Sequence, residues 1–117
     1  KKAMKKMVVE GAADKTVFTH DDCGNVIKTQ AFYNKNNKEH LLSIAAYDSG
    51  FNPFYLIGLH RLEPFFYSVH NPVMEQIVYW DCADYDASPQ KTTYEYDTDQ
   101  LPVRKTGPNY TTLFFYE

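Results

Sequence analysis

Cysteine is nearly missing: two residues in 117 permit one disulfide at most, which excludes a small scaffold held by a framework of bridges. Glycine is scarce as well. The five glycines stand singly, so neither a phosphate-cradling loop nor a dinucleotide fingerprint is available. No apolar run approaches the roughly 20 residues of a membrane-spanning helix, because Lys, Asp, Glu or His interrupts each one. An excess of positive charge is also absent. Twelve basic against fifteen acidic side chains leave a net charge of -3, which argues against a grip on nucleic acid through phosphate neutralisation.

Catalytic and metal signatures are equally thin. No Gly-x-Ser-x-Gly surrounds Ser43, Ser49, Ser68 or Ser88. His20, His40, His60 and His70 show no i, i+3 or i, i+4 pairing of the kind that builds zinc sites. Asp81, Asp84 and Asp86 share one loop, but without the alternating order of an EF-hand they read as a solvated segment rather than a calcium site. The acids are scattered through turns and single out no glycosidase pair. No catalytic residue, cofactor or metal is therefore assigned.

What the chain has is aromatic and alternating. Ten Tyr and eight Phe accompany 44% hydrophobic residues, enough for one core and one domain over residues 1–117. Period-2 alternation recurs in short runs separated by turn-forming residues, which predicts an all-β antiparallel meander. The runs are Met4–Glu10, Lys15–His20, Val26–Tyr33, Leu41–Tyr47, Val73–Trp80, Lys91–Asp97, Leu101–Thr106 and Tyr110–Tyr116. About seven or eight strands of ordinary length are expected, in a curved or partly rolled sheet. Asp21-Asp22-Cys23-Gly24-Asn25, Asp48-Ser49-Gly50, His70-Asn71-Pro72 and Gly107-Pro108-Asn109 read as turns. Within Val26–Tyr33, the face bearing Ile27, Thr29, Ala31 and Tyr33 is expected to be buried and the one bearing Val26, Lys28, Gln30 and Phe32 to be wetter. Pro102 suggests a strand end or an edge position.

Between Phe51 and Tyr67 the alternation stops and bulky side chains crowd together. Asn52 before Pro53 suits a helix start, and Pro64 limits that helix to about three turns. A short helix over about 53–63, packed on the concave face, is expected; a strand at 65–69 is the alternative. If the insert links neighbouring antiparallel strands, Cys23 and Cys82 fall at opposite ends of the sheet and stay free thiols. A strand at 65–69 would bring them to the same end.

Thr19-His20-Asp21-Asp22-Cys23-Gly24-Asn25-Val26-Ile27-Lys28 and Tyr94-Glu95-Tyr96-Asp97-Thr98-Asp99-Gln100-Leu101-Pro102-Val103-Arg104-Lys105 both look like YD-type hairpins. With Tyr47-Asp48-Ser49-Gly50-Phe51-Asn52-Pro53-Phe54 and His70-Asn71-Pro72-Val73, they resemble the secreted lipoproteins of unknown function of gut Bacteroidetes. Those proteins carry an Asn-Pro-Phe apolar insert in an extended β-meander. The resemblance covers about residues 15–117; Gln100 stands where Gly is common. It implies export to the periplasm, outer membrane or cell surface, no established activity, and a chain that forms the C-terminal portion of a longer protein. The opening at Lys1, without an initiator Met, fits a mature or trimmed chain, and Lys1, Lys2, Lys5 and Lys6 read as a solvated terminus.

The expected role is a non-catalytic structural or recognition module of the bacterial envelope, with an unknown protein or glycan partner. The alternative is a small-ligand or glycan-binding domain that uses the concave face and the 51–67 segment. Phe54, Tyr55, Tyr67, Trp80, Tyr94 and Tyr96 are the candidate ligand-contacting residues, since aromatic faces stack on sugars or peptides. Tyr110, Phe114 and Tyr116 extend the aromatic surface of the C-terminal strands. An open edge, either the first strand or the one at Tyr110–Tyr116, leaves room for an edge-to-edge homodimer, while the residues do not fix the oligomeric state.

Overall fold

The computed structural model describes residues 4–53 and 68–117. Among them the alternating runs become nine strands: β1 (Lys6–Glu10), β2 (Asp14–His20), β3 (Val26–Tyr33), β4 (Glu39–Phe51), β5 (His70–Tyr79), β6 (Gln90–Lys91), β7 (Thr93–Tyr96), β8 (Pro102–Thr106) and β9 (Thr111–Leu113). β1 to β6 form one sheet in sequence order and β7 to β9 a second, every neighbouring pair antiparallel. The all-β meander is thus present, as two open sheets. Residues 54–63 of the expected helix at about 53–63, and residues 65–67 of the alternative strand, lie outside the described residues.

Directly paired residues share a face, so the registers build continuous rows across the larger sheet. Met7, Phe18, Thr29, Ser43 and Ile77 make one row; Val9, Thr16, Ala31, Leu41 and Tyr79 make the next on the same face. Phe18 and Ala31 are buried there, whereas Val8 and Ile44 on the opposite face are exposed. On the face of β3 expected to be buried, Ala31 is buried, and the expectation fails at the start of the strand. Thr19 pairs with Lys28 but His20 pairs with Val26, so Ile27 bulges out and Val26 returns to the face of Phe18. Val26, expected on the wetter face, is consequently 4% exposed. Phe18, Val26 and Ala31 are the buried hydrophobic residues among those described.

Two turn assignments and two strand runs change. β4 runs to Phe51, straight through Asp48-Ser49-Gly50; the turn chemistry survives as a local irregularity in which Asp48 Oδ1 accepts from Gly50 N at 3.0 Å. His70-Asn71-Pro72 opens β5 instead of ending a loop, because Pro72 sits at a register shift opposite Tyr47, where the ladder needs no N–H from it. The run Lys91–Asp97 is divided: β6 pairs with β5, then Thr92 N donates to Val73 O and β7 leaves for the second sheet. The last strand is also shorter than the alternation at Tyr110–Tyr116 suggests, since pairing to β8 covers Thr111–Leu113.

β2–β3–β4 and β7–β8–β9 are built alike. Asp21 Oδ1 accepts from Cys23 N and Asn25 N, and Asp97 Oδ1 accepts from Asp99 N and Leu101 N. Each turn closes with the same backbone bonds, Asp21 N to Asn25 O and Gly24 N to Asp21 O, against Asp97 N to Leu101 O and Gln100 N to Asp97 O. The fourth residue of each adopts a left-handed backbone, Gly24 at φ 88° and Gln100 at φ 65°. The bulge recurs too, with His20 opposite Val26 in the first unit and Tyr96 opposite Pro102 in the second. Across the outer strands, Lys28–Ile44 and Thr29–Ser43 correspond to Arg104–Leu113 and Lys105–Thr112. Pro102 does start its strand, but β8 is central; the bulge lets a residue without an N–H sit there.

The two sheets meet at the end of β4. Phe51 N donates to Gln100 O at 3.0 Å, and a Cβ added at Gly50 would run into the ring of Tyr96. Glycine there permits the close approach.

Gln100 holds a left-handed conformation that costs an ordinary residue roughly 1 kcal/mol. Gln100→Gly is expected to stabilise the protein by about 0.5 to 1 kcal/mol, and Gly24→Gln to destabilise it by at least as much, in urea unfolding. Effects of the same sign in the two turns would contradict their equivalence.

Candidate functional site

Buried backbone polar groups that no neighbouring strand meets need side-chain partners. Val26 is in that position, and three bonds close a ring on it. Val26 N donates to Ser68 Oγ at 2.9 Å, Ser68 Oγ donates to the Tyr47 hydroxyl at 2.9 Å, and that hydroxyl donates to Val26 O at 2.6 Å. Ser68 is fully buried. In the second unit Pro102 replaces Val26, no N–H needs an acceptor, and one bond remains, Tyr116 hydroxyl to Pro102 O at 2.6 Å. Pro102 is likewise fully buried.

Asn25, 2% exposed, ties the ring to the hairpin turn. Its Oδ1 accepts from His70 N at 2.8 Å, while its Nδ2 reaches Asp21 Oδ2 at 3.2 Å and His70 Nδ1 at 3.0 Å. Because Oδ1 is committed to a backbone donor, Nδ2 is the atom that faces the His70 ring.

Two further asparagines bridge the ends of β4 and β5. Asn52 Nδ2 donates to Ser68 O at 2.9 Å, and Asn71 Nδ2 donates to Phe51 O at 2.8 Å. Each precedes a proline, which confines its backbone to extended conformations. Asn71 Nδ2 also lies 3.2 Å from the Tyr96 hydroxyl, which itself donates to Asp48. One seam of polar side chains therefore runs from the Asp21–Asn25 turn through Ser68–Asn71 to the second sheet.

The electrostatics follow from this packing. Burial works to raise the Asp21 carboxyl, but N–H donors from Asn25 and Cys23, with His70 nearby, outweigh it and hold the group below the usual carboxylate range. Burial pushes the Tyr47 phenol up to about 12; Ser68 opposes the shift, while Glu75 and Asp21 add to it. Tyr94 and Tyr96 are raised as well, first by burial, then by each one's neighbours, Tyr96 for the former and the Asp48 hydrogen bond for the latter.

Beside the ring lies a hollow of about 50 Å³, bordered by Val26, Ser43, Tyr47 and Glu75 among others. It has room for a water or two and none for a sugar ring.

The aromatic candidates divide between two places. Trp80 is 53% exposed at the start of the loop after β5, its Nε1 donating to Glu39 Oε2 at 2.8 Å, close to the edge-on pair Tyr79–Tyr85. Tyr94 and Tyr96 stack at 5.9 Å at the junction of the sheets, with Lys105 over Tyr94. These lie toward opposite ends of β4, since Trp80 N bonds His40 O while Tyr96 packs on Gly50. Phe54, Tyr55 and Tyr67 are outside the described residues. Cys23 and Cys82 are exposed and unbonded, one in the β2–β3 turn and the other beyond β5. Asp81 accepts from the Tyr33 hydroxyl and Asp86 from Ser88 N; among the described residues no group of three or more potential ligands converges on a metal position.

Residue patterns pointed toward none of Asn25, Asn52, Ser68 or Asn71. The one available signal was the doubled Asn-Pro, at 52–53 and 71–72, which does mark two of the four.

Tyr47→Phe is expected to cost about 2 kcal/mol by leaving Val26 O and Ser68 Oγ short of partners in a buried site. The raised phenol makes stability intact below pH about 10 and lost progressively as pH climbs toward 12, a decline shared with Tyr94 and Tyr96. Chemical denaturation of wild type and Tyr47→Phe across that range checks both points; the variant should decline less steeply.

Comparison of the chain with family models, with curated proteins and with solved structures finds no match.

Proposed function

We propose that this chain is a non-catalytic structural or recognition module of the bacterial envelope, working outside the cytoplasm against a protein or glycan partner. The observation that carries the reading is how the buried polar groups are used. Ser68, Tyr47, Asn25 and Asn71 are spent on backbone donors and acceptors and on one another, a pattern that favours holding a shape over turning over a substrate. Large apolar side chains meanwhile remain at the surface, Trp80, Tyr110, Leu113 and Phe115 among them, as suits a recognition surface. The envelope location rests on the resemblance of the hairpins to exported lipoproteins, and no helix among the described residues is long and apolar enough to cross a membrane.

The test is the location of the native protein, by antibody detection in fractionated cells and protease treatment of intact ones. Recovery in the periplasmic or outer-envelope fraction is expected. Recovery in the cytosol would contradict the reading.

A further inference from the structure

The second sheet ends on an edge whose counterpart in the first sheet is covered. β9 occupies in the β7–β8–β9 unit the place that β4 holds in β2–β3–β4, with Leu113 matching Ile44 and Thr112 matching Ser43. The outer side of β4 is paired with β5 along Leu41–Tyr47, whereas β9 is the last strand of its sheet. Gly107 N bonds Tyr110 O and Phe114 N bonds Val103 O, so alternation turns the backbone groups of Thr111 and Leu113 outward, as Leu42 and Ile44 are turned toward β5. Tyr110, Leu113, Phe115 and Tyr116 along this edge are 48%, 53%, 87% and 44% exposed.

Among the described residues β1 and β9 each end a sheet, and they are guarded differently. β1 carries Lys6 and Glu10, with Lys5 just ahead, the charges that keep an edge from pairing. From Thr106 to Tyr116 there is no charged residue. An uncharged edge meets its own copy without like-charge repulsion, and antiparallel self-pairing closes under a two-fold axis instead of propagating into a fibre. We propose that β9 pairs antiparallel with β9 of a second copy of this chain, centred near Leu113, joining two three-stranded sheets into one of six. The second copy's strand takes the role that β5 plays in the first unit. This deepens the recognition reading by naming the partner, but it does not depend on where the protein resides.

Sedimentation velocity of the full chain up to about 100 µM tests the pairing, alongside two proline variants at the two edges. Wild type is expected to sediment as a dimer. Leu113→Pro removes an outward N–H without touching the bonds to β8 and should weaken the dimer at least about tenfold. Val8→Pro does the same on β1, where Lys5 O accepting from His20 N sets the alternation, and should leave the dimer unchanged. Should Leu113→Pro lose its β-sheet circular dichroism, Leu113→Lys is read in its place with the same expectation. A monomer throughout, or a dimer lost in Val8→Pro and kept at Leu113, overturns the proposal; a cytosolic dimer would fail the location and spare the pairing.

Discussion

The closed ring of hydrogen bonds on Val26 is the constraint on which the rest of the molecule leans. Past the bulge at Ile27, the N–H and C=O of buried Val26 are met by side chains and not by a neighbouring strand, and left unmet they would cost a few kcal/mol together. Ser68 and Tyr47 meet both needs at once and in doing so bring the start of β5 and the middle of β4 against the first hairpin. Asn25, Asn52 and Asn71 extend the same principle outward until Tyr96 attaches the second sheet. Among the described residues Phe18, Val26 and Ala31 are the buried hydrophobic ones, and hydrogen bonds join the buried Asn25, Asn52, Ser68 and Asn71 around them.

The repetition within the chain shows the same constraint solved twice with different residues. Where the first unit has Val26, with an N–H that requires Ser68, the second has Pro102, which has none to satisfy. Where the first turn uses Gly24 for a left-handed residue, the second forces Gln100 into it. Sequence identity between the units is correspondingly low although register, bulge and turn bonds agree.

Much of the sheet was legible from residues alone because period-2 alternation reports directly on strands. β2, β3 and the turn at Asp21–Asn25 appear where the alternation and the Asp, Gly and Asn residues place them. The readings that failed share a cause. Asp48-Ser49-Gly50 and His70-Asn71-Pro72 have turn composition, but tertiary pairing of β4 with β5 uses their irregularity as bulges inside strands. Thr92, in the middle of an alternating run, marks a change of sheet that no local pattern announces. The polar seam was hidden for the same reason: Asn25, Ser68 and Asn71 look like loop residues until bonds spanning twenty to forty-five positions join them.

Native-state hydrogen exchange of the Val26 amide tests the account most directly. That N–H lies next to a tight turn and bonds to a side chain instead of a strand. If the ring holds the structure together, Val26 exchanges only by global unfolding and ranks with the slowest amides of β2 and β3. Exchange as fast as that of the neighbouring turn amides, Cys23 and Gly24, would show that the ring opens locally and contradict its central place.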